Sequence, residues 1–169
     1  IIGVGSPFGD DRLGWVAAEA LQRSSAVNAM EPGRIVISIL DRPGAMLLAH
    51  CHNADHVIVM DAVRSGAVPG TRHRLSVSAL ADSRLPATSH GFGVAATLEL
   101  ARVLGNLPDR LLLRGIEMDA CSTGFTLSAA VIAAMPVFVR EIEKETLALV
   151  GATHLFRSKT ASESSFFAR

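Results

Sequence analysis

The opening fourteen residues, IIGVGSPFGDDRLG, constrain the fold of this 169-residue chain more than any other stretch. Ile1 to Val4 is a short β-branched apolar run, the composition of a buried strand. Gly3, Gly5 and Gly9 bracket a turn in which Pro7 forbids regular pairing. Leu13, Val16, Ala17, Ala20 and Leu21 then recur at helical spacing, one apolar face of an amphipathic helix. Strand, turn and helix follow so closely that Asp10 and Asp11 must sit at the carboxyl end of a first strand. Open α/β sheets keep their binding crevices at that edge.

Charge limits what the turn can bind. GVGSPFG is one residue longer than the G-x-G-x-x-G dinucleotide spacing, and a pyrophosphate needs bare N–H groups in a positive field. Two carboxylates oppose that, so a nucleotide is the least favoured ligand. Capping of the following helix is the common role of such an acidic pair. A cation is the third reading.

The rest of the chain alternates strands and helices, the pattern of a three-layer α/β domain. Expected strands cover Arg34 to Leu40, His56 to Met60, Thr71 to Val77 (an antiparallel edge, since no helix fits before it) and Arg110 to Ile116. Expected helices cover Ala45 to His50, Val94 to Leu104, and Phe125 to Val150 with a possible kink at Pro136. The Ser-rich segment 151–169 reads as a loose tail, leaving residues 1–150 as a single domain. Hydrophobic residues are 49% of the chain and mean hydropathy is +0.35, which suits a sheet covered on both faces.

Composition also narrows the partners. Lys+Arg 16 balance Asp+Glu 16, so nothing favours nucleic acid or a membrane surface. Two cysteines, Cys51 and Cys121, exclude a disulfide scaffold and a Cys-rich zinc site. The most apolar stretch, Leu127 to Val139, is too short to span a bilayer and contains Pro136. The expected compartment is the cytoplasm.

Polar residues at strand ends carry the functional argument. Asp11 follows the first strand, Asp41 the second and Asp61 the third, and in a parallel sheet these ends meet on one edge. Asp61, straight after HVIVM, either faces a crevice or finds a buried partner; a turn or capping Asp is the equal alternative. His90 lies in TSHGFG, where two glycines free the backbone to bring its imidazole to another group. Asp11, Asp61 and His90 form an O,O,N donor set suited to a borderline divalent cation.

Against this background GVGSPFGDDRLG resembles the N-terminal signature of the nickel–iron hydrogenase maturation endopeptidases, usually close to G-[IV]-G-N-x-x-x-x-D-[DE]-x-[IVL]-G. The resemblance continues in order through HVIVMDAV, SHGFGVAATLELARVLG and LLLRGIEM into the final helix. It implies a twisted, mainly parallel five-stranded sheet with helices on both faces. It implies removal of a C-terminal extension from a hydrogenase large-subunit precursor after nickel insertion. By position the family's metal-contacting, catalytic residues correspond to Asp11, Asp61 and His90, with Asp10 the alternative to Asp11. The nickel is expected on the precursor, as a recognition handle, with another divalent cation as the alternative. Ser6 replaces the usual Asn, the first loop is one residue shorter, and DRPG (residues 41–44) replaces an Asp-Gly-Gly turn.

Rival readings are weaker. No G-x-S-x-G elbow occurs. Cys121 sits at the correct edge to pair with His90, but a lone Cys is more often a small hydrophobe. Glu117 and Asp119 read as solvating that loop. His50, His52 and His56 read as a helix end and loop rather than a metal site. The competitor of another class is a non-catalytic docking module or a nucleotide-binding domain; for the latter Asp41 lies well past the roughly 20-residue spacing of a ribose-binding acid.

Overall fold

A computed structural model of the protein describes residues 1–52, 54–76, 87–88, 94–105, 107, 110–122 and 124–164. The opening apolar run forms β1 (Ile2–Gly5), buried along its whole length. It pairs in parallel with β2 (Ser38–Asp41) on one side and β3 (Val57–Arg64) on the other. Beyond β3 lies β6 (Leu111–Glu117), again parallel, and β4 (Arg72–Ser76) closes that edge antiparallel. The order is β2-β1-β3-β6-β4, the five strands expected, and the two-residue β5 (Ala87–Thr88) pairs antiparallel with the far end of β3.

Strand alternation divides the core in two. Ile58, Met60 and Ala62 of β3 pack with α1 (Leu13–Gln22) and the long C-terminal α5 (Ala129–Ser164). Val57 and Val59 point to the other face, where they meet α3 (Leu47–Cys51) and α4 (Val94–Val103). A strand covered on both faces has no polar side, which is why Val57 to Met60 is continuously apolar. The short α2 (Ser25–Asn28) is capped by Ser24, whose hydroxyl accepts the N–H of Val27.

Helix α1 lies directly on strand backbone. A Cβ on Gly14 would stand 2.1 Å from the Val4 carbonyl oxygen and 2.5 Å from that of Met60. A Cβ on Gly3 would stand 2.2 Å from the Gly14 oxygen. Only glycine permits this approach, and Leu13, Ala17, Ala18 and Leu21 are then fully buried beside it.

Some boundaries differ from expectation. β2 starts at Ser38 rather than Arg34, because its partner β1 offers a ladder only from Ile2↔Ser38 to Gly5↔Asp41. Helix α5 starts at Ala129 rather than Phe125, and it continues through Gly151 to Ser164, so the boundary drawn at Gly151 falls inside a helix. One glycine costs a helix only about 1 kcal/mol. Among the described residues no helix is long and apolar enough to cross a membrane.

Gly14→Ala should therefore destabilise strongly, by about 3 kcal/mol or more, since the clash is with backbone and neither carbonyl can rotate away. Urea unfolding checks this. Gly151→Ala, with nothing within 4 Å of its Cβ position, is the control and should be neutral or slightly stabilising.

Candidate active site at the split of the sheet

The chain steps from β1 to β2 on one side and to β3 on the other, so the strand order reverses beside β1. At that point the sheet opens. β1 pairs with β3 only at Ile2↔Val59 and Gly3↔Met60, whereas β1–β2 pairing runs to Gly5↔Asp41 and β3–β6 pairing to Val63↔Glu117. The next residue of β3 past the split is Asp61. It lies within the strand, opposite Gly115 of β6, and not at the strand's end as expected.

Asp61 is wholly buried. Its Oδ1 accepts the N–H of Ala62 at 2.8 Å, and its Oδ2 has no hydrogen-bond partner among the described residues. Burial pushes its carboxyl well above the usual carboxylate range; the Ala62 N–H pulls the other way, and the nearby charge of Asp11 pushes it further up. The two carboxylates expected to act together thus feel one another.

Asp11 reaches the split through a single 3-10 turn, Gly9–Arg12, that runs straight into α1. The turn folds back over the end of β1. The N–H of Ser6 donates to the Asp11 carbonyl at 3.2 Å, and the Ser6 hydroxyl donates to Asp11 Oδ2 at 3.2 Å. Gly5 is needed underneath, because a Cβ there would stand 2.2 Å from the Asp11 oxygen. Ser6 therefore occupies the usual Asn position with a hydrogen bond to the acidic residue.

Asp10 belongs to another network. It is 1% exposed, and its carboxylate accepts the N–H of Asp119, the N–H of Ser128 and the Ser128 hydroxyl at 2.8, 2.6 and 2.8 Å. Its carboxylate bonds go to these residues rather than to the start of α1, the usual role of an acidic pair, and Arg12, at the N-cap of α1, contributes no side-chain cap there.

The remaining candidates are placed as follows. His90 lies outside the described residues. Asp41 is at the end of β2 but held by its neighbour, with Arg42 Nε and Nη2 at 2.6 and 3.1 Å from its two oxygens. Cys121 is exposed and Cys51 is buried in the core. His50 and His56 line a cavity of about 380 Å³ at the amino edge of the sheet, away from Asp11 and Asp61. No three His, Cys, Asp or Glu side chains among the described residues are grouped to hold a metal ion; only two of the three expected ligands are among them.

Two features escaped the sequence. Glu117, read as a solvating loop residue, is the buried last residue of β6. Burial penalises its charge, but the Ser65 hydroxyl, the N–H groups of Ser65 and Gly66, and His73 more than compensate and hold its carboxyl below the ordinary value. It anchors the turn after β3; a carboxylate ending a strand beside a Ser-Gly turn was the available signal. Phe8 and Phe125, both more than half exposed, stack with ring centroids 5.7 Å apart, and the Arg12 guanidinium donates to the Phe125 carbonyl. Their loops are distant in sequence, so no local pattern reveals the pair.

The buried carboxyl gives a test with a definite sign. A folded-state pKa raised above the unfolded value favours folding at low pH, and that advantage is lost as pH rises through the raised value. Asp61→Asn keeps an oxygen for the Ala62 N–H and removes the titration. The variant should match the wild type near pH ~4 and be the more stable of the two at neutral pH. Urea unfolding across pH 4 to 8 measures the difference; a variant that unfolds at every pH makes Asp61 a structural residue instead.

The family model for HycI, hydrogenase maturation protease, matches residues 26–145. The hydrogenase expression/formation protein HupD of Thiocapsa roseopersicina is 33% identical over 129 residues, covering 69% of this chain and 52% of the relative. The chain thus spans about half the length of that curated relative. An endopeptidase of Escherichia coli solved in solution superposes with TM-score 0.65 at 26% identity, over 84% of this chain and 87% of that one. The [NiFe] hydrogenase maturation protease HybD of Thermococcus kodakarensis shares the fold, with TM-score 0.65 at 20% identity, over 86% of this chain and 96% of its own. With the family model covering most of its length, the chain belongs to the hydrogenase maturation protease family.

Proposed function

We propose that the protein is an endopeptidase that removes a C-terminal extension from a nickel–iron hydrogenase large-subunit precursor after nickel insertion, using Asp11, Asp61 and His90. The observation that carries this reading is the Asp61 carboxyl, fully buried at the split of the sheet beside Asp11, with one oxygen unpartnered among the described residues. Leaving a buried polar atom unsatisfied costs about 1–3 kcal/mol, so it is retained where a ligand needs it. Two carboxylates and an imidazole match a divalent cation in charge and donor type, and nickel carried by the precursor is such a ligand.

Asp11, Asp61 and His90 would hold the cation, which when bound polarises a carbonyl and acidifies a water. The chain's own part is proton handling and exclusion. Burial and the charge of Asp11 favour the protonated form of Asp61, and an arriving cation favours the ionised form, so binding pulls toward proton release. The protonated form is a poor base, so the arriving cation also favours the form of Asp61 that can assist attack. A carboxylate freed of its proton, or His90, accepts the proton of the attacking water. Cleavage that waits for metal insertion follows from this order. The proposed compartment is the cytoplasm, in keeping with two unpaired cysteines.

Incubating the protein with nickel-loaded and nickel-free precursor, and weighing the products, tests the reading. The loaded form should lose its C-terminal peptide and the nickel-free form should stay whole. Binding of the loaded form without cleavage would instead make the chain a docking module. His90→Ala should leave thermal stability within about 1 kcal/mol of wild type. It should weaken binding of the loaded precursor and leave the weaker binding of the nickel-free form unchanged. Equal weakening of both, by titration, would mean that His90 contacts polypeptide rather than metal.

A further inference from the structure

We propose that Asp10 is the positioning residue of this site: its buried carboxylate clamps the turn after β1 to the loop after β6, and so fixes Asp11 over Asp61. The inference rests on the reading of Asp11 and Asp61 as the working pair. Its grounds are separate ones of geometry.

The turn that carries Asp11 has weak support on its own side. It holds the end of β1 through the Ser6 bonds, but β1 has already parted from β3 at Gly3↔Met60. Firm anchorage comes instead from beyond β3. Gly9 donates its N–H to the Gly124 carbonyl at 2.8 Å, and Asp10 donates its N–H to the Ser122 hydroxyl at 3.1 Å. The Asp10 carboxylate takes three further bonds, from Asp119 and twice from Ser128. Ser128 stands immediately before α5, and its hydroxyl also accepts the N–H of Val131 at 3.4 Å. One carboxylate thus joins the first loop, the β6 loop and the start of the longest helix. The bridge runs from the turn after β1 to the loop after β6, the two strands that flank β3.

A carboxylate is required there. Three donors converge on Asp10, and an amide of the same shape must turn its NH₂ toward one of them. Gly9 is fitted to the same contact: it sits at φ +48°, and a Cβ would stand 2.7 Å from the Ser122 hydroxyl. The adjacent acidic residues therefore divide the work. Asp11 faces the reaction and Asp10 holds the turn.

Asp10→Asn and the milder Ser128→Ala, which keeps the residue-128 N–H, test this in the intact protein. Each is assayed for cleavage of the nickel-loaded precursor, for its pH profile and for amide hydrogen exchange. The expected result is a fall in kcat of about tenfold to a hundredfold for Asp10→Asn, with KM nearly unchanged and the pH profile keeping its shape. Exchange at the Ser6 amide, which donates to Asp11, should quicken while Val59 and Met60 in β3 stay protected. Ser128→Ala should show the same pattern more weakly, and the two changes should be less than additive in kcat. Wild-type kcat and Ser6 protection in Asp10→Asn overturn the proposal. So does loosening that reaches Val59 and Met60 equally in both variants, since the clamp would then serve only the fold. If wild type fails to cleave the loaded precursor, the proteolytic reading falls, while the exchange arm still decides whether Asp10 holds Asp11.

Discussion

The backbone contact of α1 with β1 and β3 sets the position of everything at the carboxyl edge. Two glycines, Gly3 and Gly14, bring a helix so close to a sheet that carbonyl oxygens occupy the places of absent Cβ atoms. Ala17 and Ala18 continue the same small face, and Leu13 and Leu21 lock its ends into the core. The 3-10 turn enters α1 without a spacer, so the helix fixes where the turn ends while the Asp10 bonds hold its start. A larger residue at Gly14 would lift the helix and carry Asp11 away from β3. The glycines that look like a phosphate loop serve packing.

From that placement follows an arrangement that favours function over stability. Parallel pairing between β1 and β3 stops after two residue pairs, which forfeits ladder hydrogen bonds at the centre of the sheet. A carboxyl is then buried in the gap with one oxygen unpartnered among the described residues. Both choices destabilise the fold, and the neighbouring Asp11 adds repulsion whenever both are ionised. The long β3–β6 ladder and the two apolar clusters on either face supply the compensation.

Sequence reasoning succeeded where local periodicity and turn chemistry dominate. The β-branched run of β1, the spacing of Leu13 to Leu21 and the apolar HVIVM each specify an element without reference to the rest of the chain. The antiparallel edge β4 followed from a connection too short for a helix. Failures came where a residue answers to a distant partner. β2 is shorter than its apolar run because β1 limits the ladder, and Asp61 lies inside a strand because β6 extends β3 beyond β1. Asp10 and Glu117 are adjacent to expected positions, yet their partners are Ser128 and Asp119 in one case and Ser65, Gly66 and His73 in the other. No spacing rule encodes such pairs. Convergence of Asp11 with Asp61 was foreseeable only because strand ends in a parallel sheet share an edge.

The DRPG turn shows where the positive charge at the rim is held. Arg42 adopts φ +40°, a left-handed conformation that costs a non-glycine residue about 1–2 kcal/mol. The strained backbone lets its N–H donate to the Gly5 carbonyl at 3.0 Å, continuing the β1–β2 ladder past Asp41. Its guanidinium meanwhile closes on both oxygens of Asp41. Asp41 dominates the upward shift of the Arg42 pKa, and Asp11 contributes least. The positive charge beside the crevice is therefore committed to the rim carboxylate rather than to Asp11 or Asp61. Freed from Asp41, the same guanidinium would be a competitor for any cation approaching those two residues. Held there, it makes its hydrogen bonds to Asp41 and feels Asp11 only as a weaker charge through space.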